Sequence, residues 1–323
     1  MKTTRLIIAM MATVAFGSTA ETVSAANVKI TPLGGVTGEF CRLDRALIFE
    51  DPNGTRLLFD AGRTVAGAND PRLGKIDVVL VSHMHGDHVG NRHMKAVDSG
   101  TCGKPDFSVN ATPNTNSVNI ALAKKSMIVT GSAMPGFFAA KLKSLGGDPK
   151  KSQLARFGAT KTVGGVGIST VPATHTNGLH PSMIGGDLGN AMKAAGISGN
   201  VGPATGYVLR FTNGLAIYLS GDTGITADQD TTVRGFYGAQ LAVINIGDKF
   251  TTGPKEAAYV VNELVKPTSV IASHANEEAT KGGKVIAGTR TEAFMKAAKM
   301  PVHLPLSGKT MEFDSGGKCV AGC

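Results

Sequence analysis

Short apolar runs recur along this chain, and most have the length of strands rather than helices. Val28–Thr31 and Arg45–Glu50 read as strands, Asp51-Pro52-Asn53-Gly54 as a turn, and Arg56–Phe59 as the returning strand. Val78–Val81 is apolar without a break, as expected of a strand covered on both faces. Gly167–Val171 is a further strand, and Tyr207–Phe211 with Leu215–Leu219 forms a hairpin about Asn213-Gly214. Leu241–Ile246 and Val270–Ala272 complete the strands. Residues 101–160 are less regular, with a helical stretch at Phe137–Leu145. Pro254–Val265 and Thr291–Lys299 read as helices, the first with proline in its opening turn. Residues 176–204 are glycine-rich and weakly periodic, which suggests a long loop with one short helix near Ala191; loops of this length are often functional. The two halves are loosely alike, each passing through strands to a histidine-bearing strand end and then to helices. The pattern predicts an α/β fold of two mixed sheets packed face to face with helices outside.

The start of the chain follows a different logic. Lys2 and Arg5 precede a mostly apolar run, Leu6–Phe16, and the small residues Val23-Ser24-Ala25 follow. This order predicts a signal peptide over residues 1–25, one mature domain over 26–323, and a periplasmic or secreted protein. The apolar run is shorter than the roughly 20 residues a membrane span needs, and no later run reaches that length, so stable membrane insertion is not expected.

Composition changes this picture little. Hydrophobic residues make up 42% and charged residues 18%, which excludes a disordered chain. The formal net charge is +9, but the basic residues are scattered and no run interleaves them with aromatics, so nucleic acid is not an expected partner. Oligomeric state is not readable. Cys41, Cys102, Cys319 and Cys323 lack the paired spacing of a structural zinc site; in an exported protein four cysteines allow two disulfides in three pairings.

The chemistry concentrates in Ser82-His83-Met84-His85-Gly86-Asp87-His88, where four potential ligands fall within six residues at the end of an apolar strand. Imidazole and carboxylate groups at this density suit zinc and similar ions. His175, Asp222 and His274 each follow a predicted strand, and ligands at strand ends sit on a rigid scaffold.

His83-x-His85-x-Asp87-His88 followed by single His, Asp and His resembles the metallo-β-lactamase superfamily over nearly the whole mature chain. Gly221-Asp222-Thr223-Gly224, Asn245-Ile246-Gly247, and Thr252-Gly253-Pro254 with Glu256-Ala257-Ala258 are similar to its L-ascorbate-6-phosphate lactonase-like branch; Asp248-Lys249 replaces a glycine pair typical there. The resemblance implies a four-layer αββα sandwich and two divalent metal ions, zinc first, with manganese or iron as alternatives. It implies that His83, His85 and His175 hold one ion, Asp87, His88 and His274 the other, and Asp222 bridges them. A shared hydroxide would attack an ester, lactone or phosphoester of a small-molecule substrate, with Asp87 and Asp222 in catalytic roles.

Other polar residues carry weaker expectations. His180, in the long loop, and Lys249, near the expected mouth, are candidate substrate contacts. His93 is expected in a second sphere or in solvent, and His303 in a structural strand. The alternatives are a β-lactam-hydrolysing enzyme, against which the bridging Asp222 argues, and a non-catalytic metal-binding protein, which an open ligand set disfavours.

Overall fold

The computed structural model describes residues 26–323. The expected signal peptide, residues 1–25, lies outside the described residues. Two large sheets dominate the fold. The first has eight strands, in the order 319–321, 311–313, 28–32, 47–50, 56–59, 78–80, 127–130 and 152–154. The second has seven, in the order 302–303, 269–273, 241–245, 216–219, 204–210, 166–173 and 160–163. Each sheet begins as an antiparallel meander and turns parallel: 56–59, 78–80, 127–130 and 152–154 run alike in the first, and 216–219, 241–245, 269–273 and 302–303 in the second. The loose likeness of the two halves in sequence is this repeated plan.

Strand periodicity explains the four layers. Successive side chains point to opposite faces. Leu57, Phe59, Val78 and Leu80 enter the core between the sheets, whereas Leu58, Val79 and Val81 enter a second core under the helices Asn116–Lys124 and Met134–Ser144. Leu241, Val243 and Ile271 face the central core from the other sheet. Ala242, Ile244, Val270 and Ala272 pack outward against the helical segments Gln229–Phe236, Pro254–Val265 and Arg290–Ala297. The unbroken apolar run Val78–Val81 is therefore a strand sealed on both faces, as its sequence predicts.

Several elements escape the sequence pattern for identifiable reasons. The helix Asn116–Lys124 buries Asn116 and Ser117, which donate to backbone carbonyls of Val65 and Val89, so its inner face does not read as apolar. Gln229–Phe236 turns only Gln229 and Val233 inward, too sparse a stripe to detect. The strand Met127–Thr130 is short and follows that first helix directly. Residues 176–204 are more ordered than the expected loop: the strands Gly178–Leu179 and Gly199–Asn200 pair, and the helices Pro181–Ile184 and Gly186–Ala194 lie between them. The expected strand Arg45–Glu50 begins at Leu47, and Arg45 is a buried side chain with another task. Cys41 is bonded to Cys102 and Cys319 to Cys323.

One contact joins the sheets where the chemistry gathers. Tyr207 is fully buried in the second sheet, and its hydroxyl donates to the carbonyl of Val81, 2.7 Å away, just past the first sheet's strand Val78–Leu80. Burial pushes the Tyr207 hydroxyl pKa well above its ordinary value, so it stays a donor. Tyr207→Phe keeps the ring and leaves that carbonyl without its partner; a loss of about 1–2 kcal/mol in stability is expected in urea unfolding. An unchanged midpoint would show that the bond contributes nothing.

Candidate metal centre

The strands that run parallel end at one rim of the sandwich, and the polar residues follow those ends. Asp60 follows the strand Arg56–Phe59, Ser82 to His88 follow Val78–Leu80, Asp222 follows Ala216–Leu219, and His274 follows Ser269–Ser273. His175 follows the antiparallel strand Val166–Ala173 at the same rim. All seven sequence-predicted ligands come together there. Three clusters place their donor atoms within 4.8 Å of one another: His83, His85 and His175; His83, His88 and Asp222; and Asp87, His88 and His274.

Asp222 lies at the centre. Its Oδ1 is 3.3 Å from His88 Nε2, and its Oδ2 is 3.1 Å from His274 Nε2, 3.7 Å from His175 Nε2 and 3.9 Å from His83 Nε2. The backbone must come close to allow this. Gly221 has φ +56°, and a Cβ there would meet Ser82 Cβ at 2.8 Å, so neither the conformation nor the space suits another residue. On the far side, Asn245 Nδ2 donates to Thr223 O and to Thr252 Oγ1, and Thr223 Oγ1 accepts from Thr174 N–H. These bonds tie the Asp222 loop to the strand end that carries His175.

Asp60, which sequence analysis does not single out, organises the first motif. One oxygen accepts from Ser82 N–H at 2.8 Å; the other accepts from Ser82 Oγ and from His88 Nδ1, each at 2.7 Å. With Ser82 Oγ donating to Asp60, its lone pair is left for His83 Nδ1–H, 2.9 Å away. This chain makes Nδ1 the donor in both imidazoles and turns both Nε2 atoms inward. Its sequence signal was a carboxylate directly after an apolar strand, a polar residue where burial is certain. Arg45 and Asn177 were also missed. Arg45 donates to Asp87 Oδ2 at 3.2 Å and to Asn276 Oδ1 at 2.8 Å, and Asn177 Oδ1 accepts from Met84 N–H at 2.8 Å.

Electrostatics match this arrangement. Burial opposes ionisation of Asp222, but His274 and His88 outweigh it and hold the carboxyl well below the usual carboxylate range. Asp87 is likewise held down against burial by His88, His274 and Arg45. Burial and the neighbouring His88 push His83 well below the usual imidazole value, so it stays neutral with a lone pair to give. Burial also lowers His85 and His175. His88 is the exception: burial opposes its proton, but Asp222, Asp87 and Asp60 raise its pKa well above normal.

Four inward atoms decide what the site fits. His83 Nε2, His88 Nε2, His274 Nε2 and Asp222 Oδ1 are buried and accept or donate no hydrogen bond. Their mutual approaches are close but misaligned for hydrogen bonding. Buried polar atoms without partners are costly and rare; lone pairs converging on shared points suit divalent cations. A second grouping, His303 with Cys319 and Cys323, does not qualify, since the cysteines are disulfide-bonded.

The remaining candidates separate. Lys249 lines a cleft of about 640 Å³ above the histidines, together with Arg42, Arg63 and Phe250. Asp248 and Lys249 both adopt left-handed backbone, φ 55° and 62°, the conformation a glycine pair would take freely and other residues adopt at roughly 1–2 kcal/mol each. His180 instead caps the helix Pro181–Ile184, its Nδ1 accepting from Ser182 N–H, and is not part of the cleft wall. Of residues 176–204, Thr176 reaches that wall. His93 is buried rather than in solvent, and its Nδ1 donates to Met94 O. His303 sits in a short strand with its ring 5.5 Å from that of Phe313, a structural position.

Comparison with known proteins settles the family. The Beta-lactamase superfamily domain profile matches residues 55–275, which hold all seven clustered side chains. The chain belongs to this superfamily. It is 30% identical over 204 residues to a UPF0173 metal-dependent hydrolase of Cupriavidus taiwanensis, covering 63% of this chain and 60% of that protein. It is 28% identical over 231 residues to another of Thermodesulfovibrio yellowstonii, covering 70% and 73%. Among solved structures it resembles a metallo hydrolase from Ignicoccus hospitalis, with TM-score 0.58 and 19% identity over 89% of this chain and 99% of that one. An isothiocyanate hydrolase from Delia radicum gut bacteria is similar at TM-score 0.52 and 17% identity, with the same coverage. These structures share the fold. No helix among the described residues is long and apolar enough to cross a membrane.

The orienting role of Asp60 is testable. Asp60→Asn removes the charge and puts an amide donor where three donors converge, so metal affinity should fall about 10–100-fold while the fold persists. Chelator competition beside circular dichroism measures both; unchanged affinity would reduce Asp60 to packing.

Proposed function

We propose that this protein is a dinuclear metal-dependent hydrolase that cleaves an ester, lactone or phosphoester bond in a small-molecule substrate. The observation that carries the reading is the set of buried, partnerless donor atoms converging on the floor of an open cleft. His83, His85 and His175 would hold one cation, and Asp87, His88 and His274 the other, with Asp222 between them. Zinc suits these ligands, and manganese and iron share them. When bound, two such cations supply Lewis acidity and lower the pKa of water to about 7. That curated relatives carry the name metal-dependent hydrolase supports the same reading.

The chain's own residues divide the remaining work. Asp222 has two oxygens directed at different histidines, a geometry no imidazole can supply, and its charge offsets that of the cations. Asp87 is only partly covered and faces the cleft, and Arg45 donates to its Oδ2, the same oxygen that approaches His88 and His274. Because His88, His274 and Arg45 keep its carboxyl ionised despite burial, Asp87 serves to orient an attacking water rather than to store a proton. Thr176 Oγ1, 3.3 Å from His85 Nε2, braces the outer nitrogen of that ring. The His83, His85 and His175 rings stack edge to face around one side of the floor, which holds them rigid.

Asp222→Ala tests the reading. Bound metal should drop from about two towards one per chain, and turnover should fall by several orders of magnitude, with the fold retained. Elemental analysis and rates on one sample decide it, using a lactone, an aryl ester, a phosphomonoester, a phosphodiester and a β-lactam. Two tightly bound metals with near-normal turnover would show the bridge to be misassigned. A metal-loaded wild type that cleaves none of the first four would overturn the hydrolase.

A further inference from the structure

The wall of the cleft carries more positive charge than its surroundings neutralise. Arg42, Arg63, Lys249 and Arg290 line it, and so do Asp87, Asp222 and Asp248. The acids are already engaged. Asp222 and Asp87 lie among the histidines, and Asp87 also accepts from Arg45. Asp248 turns its carboxylate back onto the backbone N–H of Lys249 at 2.7 Å. Of the cations, Arg290 is paired with Glu277 at 3.5 Å. Arg42 and Lys249, both exposed, and the half-buried Arg63 form no ion pair among the described residues, whereas the half-buried Arg56 and Arg72 do.

Arg63 is the best prepared of the three. It is half-buried, and its Nε donates to Asn91 Oδ1 at 3.2 Å, which fixes the guanidinium plane. The two terminal nitrogens make no hydrogen bond to the described protein, and the residue lines the cleft that holds Asp87. A fixed guanidinium with a free edge matches a carboxylate or phosphate, two parallel N–H groups to two oxygens. Lys249 approaches from the loop that follows the strand Leu241–Asn245, carried by two successive left-handed residues. Its Nζ lies 5.5 Å from the Phe250 ring centre, and Phe250 is exposed beside it, an apolar flank next to the charge.

We propose that this wall is an anion subsite: the substrate carries a carboxylate or phosphate group apart from the bond that is cleaved, held by Arg63 and Lys249 with Arg42 at the rim. The inference rests on the hydrolase reading for the word substrate; the anion site itself stands on the cleft. It deepens that reading by selecting anionic esters, lactones or phosphoesters over neutral ones. The chain's placement of Lys249 where glycine would be easier gives the strained loop a purpose, since strain at a cleft mouth persists where it positions a functional side chain.

Isothermal titration of metal-loaded protein with succinate, inorganic phosphate and neutral dimethyl succinate tests it, with metal content measured on every sample. Wild type should bind at least one of the two anions saturably and the diester not at all. Tighter phosphate than succinate identifies a phosphate-bearing substrate, and the reverse a carboxylate-bearing one. Arg63→Gln should weaken anion binding at least about tenfold, the loss of a charge-assisted pair, with metal content unchanged. Arg63→Lys should recover only part of the loss, and Lys249→Gln, an exposed change that cannot disturb the core, should weaken it further in combination. Anion binding equal in wild type and in the double variant would show that the metals alone hold the anion and would overturn the proposal. So would the absence of saturable binding to a fully loaded protein, which leaves the hydrolase intact; failure to load metal would instead remove the hydrolase reading.

Discussion

The buried Asp60 carboxylate accepts three hydrogen bonds from the loop that follows the strand Val78–Leu80, and the geometry of the site depends on it. A carboxylate at this depth is costly unless every lone pair is used. Here the donors are the backbone and hydroxyl of Ser82 and the ring of His88, so the energetic need of Asp60 becomes a positional constraint on the residues that present His83 and His88. Without it, the Ser82–His88 segment would be a flexible turn bearing three histidines. With it, the inward nitrogens have one direction.

The rest of the fold delivers partners to that fixed point. Strands sealed on both faces are stiff, and their ends define the rim on which Asp222, His274 and Asn245 emerge. The Tyr207 hydroxyl reaches from one sheet to the other at Val81, and Thr205 N–H donates to Ser82 O, so the two halves are registered where their ligands meet. Each half supplies strand ends to a common floor, and each set of candidate ligands draws on both halves, His83 and His85 with His175, and Asp87 and His88 with His274. The cleft wall is different in kind, built from loops with exposed cations and strained backbone, which is where family members with one fold can diverge in substrate.

Much of this was legible in the sequence, for physical reasons. Double-sided burial writes itself as unbroken apolar runs such as Val78–Val81. Four ligating side chains as crowded as His83, His85, Asp87 and His88 repel or desolvate one another unless a cation sits among them. Asp222 was legible because it directly follows a predicted strand and is flanked by glycines in Gly221-Asp222-Thr223-Gly224. What was not legible were interactions between residues distant in sequence. Asp60 lies 22 residues before Ser82, and only the parallel pairing of their strands makes them neighbours. Arg45 read as a strand residue because its backbone neighbours are apolar, yet its side chain crosses to Asp87. His180 looked functional from its place near His175, but a histidine preceding Pro181 is also a helix cap, and that local bond won. The helix Asn116–Lys124 stayed hidden because its buried face spends polar residues on the carbonyls of the loops beneath.

The central claim is that seven side chains from four strand ends form one two-cation floor with Asp222 between the halves. Anomalous diffraction from crystals of the metal-loaded protein, recorded on both sides of the zinc absorption edge, tests it most directly. Two peaks about 3.5–4 Å apart are expected, the usual spacing of two-metal sites. One peak should fall among His83, His85 and His175, and the other among Asp87, His88 and His274. A single peak, or peaks away from Asp222, would contradict it.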